Sequence, residues 1–105
     1  CEYFALEGIS ALLGTVDRIQ QGLNPRLDLA GILLTMVDER TNLARDVAAE
    51  VRRHFRDRVF ETTIPRNVRL AEAPSHGKPV LQYDIRCAGA EAYLDVAREY
   101  MRRAA

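Results

Sequence analysis

No stretch of this sequence matches GxxxxGK[ST], and no GxGxxG turn takes its place, so the 105 residues hold neither common glycine-rich phosphate cradle. HExxH is absent, and so is any paired-cysteine zinc spacing, which leaves no metal motif. The two cysteines, Cys1 and Cys87, form no CxxC and have no cysteine cluster beside them. Both are expected to be free thiols in a reducing compartment. No apolar run reaches the ~18 residues of a membrane span, and no signal peptide heads the chain, so a cytoplasmic protein with no membrane partner is expected. Fifteen basic and fifteen acidic residues cancel to zero net charge. Without a bulk field, any contact with nucleic acid has to come from a local basic patch. The chain opens on Cys1 rather than Met and runs at once into a helical pattern, so it reads as a portion of a longer protein.

What is there is ordinary for a soluble domain: 48% hydrophobic and 29% charged residues. At this length a chain buries little more than ~60% of its unfolded surface, a thin margin. Leu6, Ile9, Leu12, Leu13, Val16 and Ile19 recur at helical spacing, predicting a helix from about Phe4 to Gln21 that Gly22 and Asn24-Pro25 end. Leu29 to Met36 is a continuous apolar run, the pattern of a strand buried on both faces. A second helix is expected from Thr41, its N-cap, to Phe55, with Leu43, Val47, Val51 and Phe55 facing inward. Val59 to Ile64 is rich in β-branched residues and predicts a second strand, closed by Pro65. Asn67 is placed to cap a short helix through Ala73. Val80 to Tyr83 is read as a short edge strand. A last helix is expected from Ala88 to Arg103, with Ala90, Tyr93, Leu94, Ala97, Tyr100 and Met101 inward. Strand, helix, strand makes a βαβ unit in an α/β fold. Two main strands are too few for a doubly wound sheet, so their companions are expected N-terminal to Cys1.

His54 stands among arginines and reads as a surface residue. Ser75 and His76 are sequence neighbours, which rarely meet in the geometry of a nucleophile and its base. Three places remain. The turn from Thr35 to Asn42 follows the first strand, and ligands of open α/β sheets bind beyond the carboxyl ends of strands; an ordinary capped loop explains it equally. Ile64-Pro65-Arg66-Asn67 ends the adjacent strand. Together the two loops would frame a shallow pocket for a flat ligand such as a nucleobase, or be two plain turns. Arg40, Arg45, Arg52, Arg53, Arg56, Arg58, Arg66 and Arg69 would suit DNA phosphates without reading sequence, or form a solvated face balanced by Asp38, Glu39, Asp46, Glu50 and Asp57.

The stretch Ile64-Pro65-Arg66-Asn67-Val68-Arg69-Leu70-Ala71-Glu72-Ala73-Pro74-Ser75-His76-Gly77-Lys78-Pro79 closely resembles the ParA/Soj family of chromosome- and plasmid-partitioning ATPases. Cys1 to Gly8, Gly31 to Met36 with Asp38 and Arg40-Thr41-Asn42-Leu43, Tyr83-Asp84 and Gly89 to Tyr93 fit as well. The resemblance implies the C-terminal portion of a P-loop-type parallel sheet with flanking helices, lying downstream of the phosphate loop. It implies an intact protein that binds ATP with Mg²⁺ and forms a homodimer. Such a protein binds DNA nonspecifically on the bacterial nucleoid and hydrolyses ATP when a ParB-type partner stimulates it. By the same resemblance Met36, Pro65, Arg66 and Asn67 border adenine, and Arg40 and Arg69 contact DNA; no catalytic residue falls in this segment, which alone is expected to be inactive. A MinD-like positioning ATPase and a non-catalytic interaction module are the alternatives. The former would need a basic amphipathic C-terminal helix, and Glu99 to Ala105 offers little apolar face for one.

Overall fold

The computed structural model describes residues 5–104. Cys1 and Phe4 lie outside the described residues, as does the side chain of Leu6. Among the described residues five α-helices appear in chain order: α1 (Ala5–Gly22), α2 (Asn42–Phe55), α3 (Val68–Glu72), α4 (Val80–Tyr83) and α5 (Ala88–Ala104). Short 3₁₀ turns follow α2, at Arg56–Arg58, and α3, at Ala73–His76.

Helix α2 begins where Thr41 Oγ1 accepts the Ala44 amide at 3.2 Å, the expected N-cap. Arg52, Arg53 and His54 in its last turn suit the negative end of the helix dipole. It buries Val47 and Val51 as expected and packs half-buried Phe55 against the same core, while Ala44 is buried in place of Leu43, which is exposed. Helix α1 lies across α2 through partly buried residues such as Ile9, while Leu12, expected inward, is exposed.

The two expected strands are extended segments that pair in parallel but do not form a continuous ladder. Ile32 pairs with Val59: its amide donates to Arg58 O at 2.7 Å and its carbonyl accepts from the Phe60 amide at 2.8 Å. Val37 pairs with Pro65 through Ile64 O and the Arg66 amide, at 3.0 and 3.1 Å. Pro65, lacking an N–H, sits where none is needed. From one pairing to the other the first segment advances from Ile32 to Val37 and the second from Val59 to Pro65, one residue more. That extra residue bulges the second segment. Met36 is kinked at φ 52° on the first. Gly31 lets the segments approach, since a Cβ there would lie 2.5 Å from the Phe60 ring. Leu34, Val37, Val47, Val51 and Val59 form the core between this pair and α2.

Glu99 holds the backbone within the bulged stretch. The amides of Glu61 and Thr62 turn away from the neighbouring segment and donate to the two carboxylate oxygens of Glu99 on α5, at 2.7 and 2.8 Å. Arg103, one turn on, pairs with Glu99 at 3.2 Å, donates to the carbonyls of Asp57 and Val59, and lies over the Phe60 ring at 4.5 Å. This clamp sets the rotation of α5. Ala90 and Glu99 are buried, whereas Tyr93, Ala97, Tyr100 and Met101, expected inward, are exposed.

Val80–Tyr83 is one helical turn, not the expected edge strand. The carbonyl of Pro79 accepts the Gln82 and Tyr83 amides, both at 3.0 Å, which closes the turn. Helix α5 starts with the Cys87 sulfur accepting the Ala90 amide at 3.4 Å. Its first turn presses on α3 so closely that a Cβ on Gly89 would stand 2.5 Å from Leu70 Cγ. The Cα radius of gyration is 15.4 Å, against about 13 Å for a compact domain of this length, in keeping with the thin core.

Candidate functional site

The kink at Met36 turns its half-exposed side chain out at the end of the first extended segment. Beside it the second segment leaves the core at buried Ile64 and runs into Pro65 and Arg66. Asn67 then starts α3, its Oδ1 accepting the Arg69 amide at 3.1 Å. The four residues expected at a base, Met36, Pro65, Arg66 and Asn67, thus line one cleft of about 420 Å³. The size lies within the range of small-molecule sites. Helices α3 and α5 complete it with Leu70 and Tyr93. Tyr93 escaped the sequence reading because its helical spacing placed it in the core; its position in Gly89 to Tyr93, at the start of a helix, was the available signal.

The walls are mostly apolar, with Thr35, Arg66 and Asn67 as the polar exceptions. Such a donor set fits the flat faces and edge nitrogens of a purine. It does not fit a triphosphate, which needs several converging cations or amides. Nor do the described residues gather three or more His, Cys, Asp or Glu side chains where a metal could be held, so the Mg²⁺ expected of the intact protein finds no ligand set in them.

A second, polar cleft of about 580 Å³ lies on the other side of Pro65 and Arg66, and Asp38 and Arg40 form its rim. Arg40 grips Asp38 with both arms, Nε to Oδ1 at 2.9 Å and Nη2 to Oδ2 at 3.0 Å, while Asp38 Oδ1 also accepts the Arg40 amide. Hydrogen bonds from the Arg40 side chain and amide, with the charges of Arg40 and Arg66, hold the Asp38 carboxyl at about 2, well below its usual value. Arg69 stands apart from this cleft, on α3. It pairs with Glu72 at 3.2 Å and Asp84 at 3.4 Å. The Tyr83 hydroxyl donates to Glu72 at 2.6 Å, lowering the Glu72 carboxyl and raising the phenol, and His76 stacks on Tyr83. His76 therefore packs as an aromatic. Of the other arginines, Arg45 donates to Asn42, Arg53 to Glu50 and Arg52 to Glu61 O, and His54 lies 3.5 Å from Glu50 at the surface. No helix among the described residues is long and apolar enough to cross a membrane.

Residues 4–80 match the model of the CobQ/CobB/MinD/ParA nucleotide binding domain. The chain is 61% identical over 99 residues to the sporulation initiation inhibitor protein Soj of Bacillus subtilis, covering 94% of this chain and 39% of that protein. It is 55% identical over 103 residues to the chromosome partitioning protein ParA of Caulobacter vibrioides, covering 98% and 39%. Against the chromosome-partitioning ATPase Soj of Thermus thermophilus it is 56% identical over 102 residues, covering 97% and 41%. It thus spans about two-fifths of the length of these relatives, matching their C-terminal part. With the family comes the α/β class, although in the described residues it is reduced to one bulged parallel pair under helices. The ParA and Soj proteins are thus what the chain resembles, and the chain belongs to the CobQ/CobB/MinD/ParA nucleotide-binding family.

Proposed function

We propose that this chain is the base-binding and DNA-facing part of a ParA/Soj-type ATPase. The intact protein binds ATP with Mg²⁺, pairs as a homodimer and grips DNA without reading its sequence. It segregates chromosomes or plasmids on the bacterial nucleoid, in the cytoplasm, under stimulation by a ParB-type partner. In the intact domain the bulged pair extends into a parallel sheet. The observation that carries this reading is the cleft in which Met36, Pro65, Arg66 and Asn67 meet. Met36, Pro65 and Tyr93 offer apolar faces for an adenine ring. Asn67 spends its side-chain oxygen on the Arg69 amide and keeps two N–H donors for the base edge. Arg40 and Arg69 take DNA phosphates, the sequence-independent share of binding.

The test is a pair of substitutions in the intact protein. Met36→Asp puts a carboxylate on the apolar wall and weakens ATP binding by about tenfold or more, equal to ~1.4 kcal/mol. Arg40→Glu leaves ATP binding and dimer size unchanged and weakens duplex binding equally across sequences. ATP affinity indifferent to Met36→Asp overturns the base site. Duplex affinity indifferent to Arg40→Glu overturns that arginine's role. The 105-residue chain by itself, lacking cationic and backbone donors for a γ-phosphate, gives no Mg²⁺-dependent ATP turnover above a protein-free control.

A further inference from the structure

Both arginines assigned to DNA are already held by carboxylates of their own chain. Arg40 gives Asp38 a two-armed grip at 2.9 and 3.0 Å although its side chain is 87% exposed. Arg69 reaches Glu72 at 3.2 Å and Asp84 at 3.4 Å, and the Tyr83 hydroxyl donates to the same Glu72 oxygen. To a guanidinium, a carboxylate and a phosphodiester are alike: each presents paired anionic oxygens to a planar fork. Neither set is buried, so neither is needed to neutralise a charge inside the fold, and exposed pairs of this kind hold weakly.

We infer that Asp38, with Glu72 and Asp84, serves as a built-in competitor for phosphate, occupying Arg40 and Arg69 until a ligand presents several phosphates together. The inference rests on the DNA reading above and adds to it what sets the strength and selectivity of that contact. A lone anion must displace a carboxylate tethered beside the same arginine, whose effective concentration is of the order of millimolar or more. It therefore loses. A duplex offers a ladder of phosphates: it engages both arginines at once and gains from counterion release at each. The displaced carboxylates remain nearby and repel the backbone, which keeps the grip loose and reversible. The carboxylates thus act as a threshold that admits a polyanion and refuses free phosphate.

The experiment uses the intact protein loaded with ATP, duplexes of unrelated sequence and several lengths, and salt from about 50 to 200 mM. Asp38→Asn keeps an oxygen for the Arg40 amide at 3.1 Å, so the turn into the Thr41 cap survives while the charge is lost. It binds every duplex roughly 3- to 10-fold tighter at low salt, holds shorter duplexes than the wild type, and becomes sensitive to competition by inorganic phosphate. Asp84→Asn, likewise retaining the oxygen that accepts the Arg86 amide, gives an independent arm in the same direction. If both Asn variants bind like the wild type while Arg40→Glu and Arg69→Glu weaken binding, the carboxylates are bystanders and the inference is overturned with the DNA reading intact. If the two Glu variants also bind like the wild type, the DNA reading itself is overturned.

Discussion

Two carboxylate–guanidinium pairs in this molecule are built from the same chemistry and differ in almost everything else. Glu99 and Arg103 lie on one helix face. Their side chains are 6% and 30% exposed, and they reach the backbone of a segment nearly forty residues away. Asp38 and Arg40 sit in one turn, the arginine almost wholly in solvent, and hydrogen-bond to each other and within that turn, with the charge of Arg66 also bearing on Asp38. Burial raises the Glu99 carboxyl more than any other single influence. Hydrogen bonds from Thr62 and Glu61 and the charge of Arg103 together outweigh it and bring the group below its ordinary value. Asp38 is lowered too, yet by a partner that water and salt can replace. The first pair is architecture and the second is available for exchange.

The largest effect that tests this contrast is Glu99→Ala. It leaves the Glu61 and Thr62 amides and Arg103 without their anion and should cost on the order of 2–3 kcal/mol, read as a lowered melting temperature or denaturant midpoint. A cost indistinguishable from that of Asp38→Ala would break the distinction. Next comes pH. A folded-state pKa below the unfolded one gives stability that is complete above the unfolded value, near ~4.3 for Glu, and drains away as pH falls through the folded one. Thermal stability should therefore drop on acidifying below about 4.5, and Glu99→Gln should flatten that drop. An unflattened profile would assign the acid sensitivity elsewhere. Smaller is Arg103→Lys, which keeps the charge but loses the planar fork that spans two carbonyls over Phe60; roughly 1 kcal/mol is expected from unfolding midpoints. Smallest is Asp38→Asn, whose solvent-screened pair should shift the melting temperature less than any of the other substitutions. Salt sharpens the same comparison: about 1 M should move the NMR-titrated Asp38 pKa from about 2 back toward 3.8 and leave Glu99 nearly where it was.

The same contrast explains what could be read from the chain. Apolar periodicity and caps are local, so α1, α2, α3 and α5 were legible nearly to the residue, as were Thr41 and Asn67 as N-caps. The extended segments were legible as apolar, β-branched runs. Their interruption was not, because it is written in Glu99, 37 or 38 residues from the amides it captures, and a glutamate on a helix ordinarily marks the solvent side. On α5 Ala90 is buried as expected, but Glu99 is buried where Tyr100 and Met101, expected inward, are exposed. Val80–Tyr83 has the composition of a strand, and the carbonyl of Pro79 made it a helical turn. The cleft was legible in four of its residues because they end two adjacent segments. Tyr93 comes from a helix whose rotation only the distant clamp determines.

Gly89 gives that rotation a further meaning. It stands one helical turn before Tyr93 on α5 and touches Leu70, so the two walls of the cleft meet at a point where there is no side chain. The width of the opening is gauged there, by a missing methyl group rather than by any atom that would face a ligand. An alanine at position 89 would act as a shim, prying the helices apart and widening a cleft its methyl group never faces.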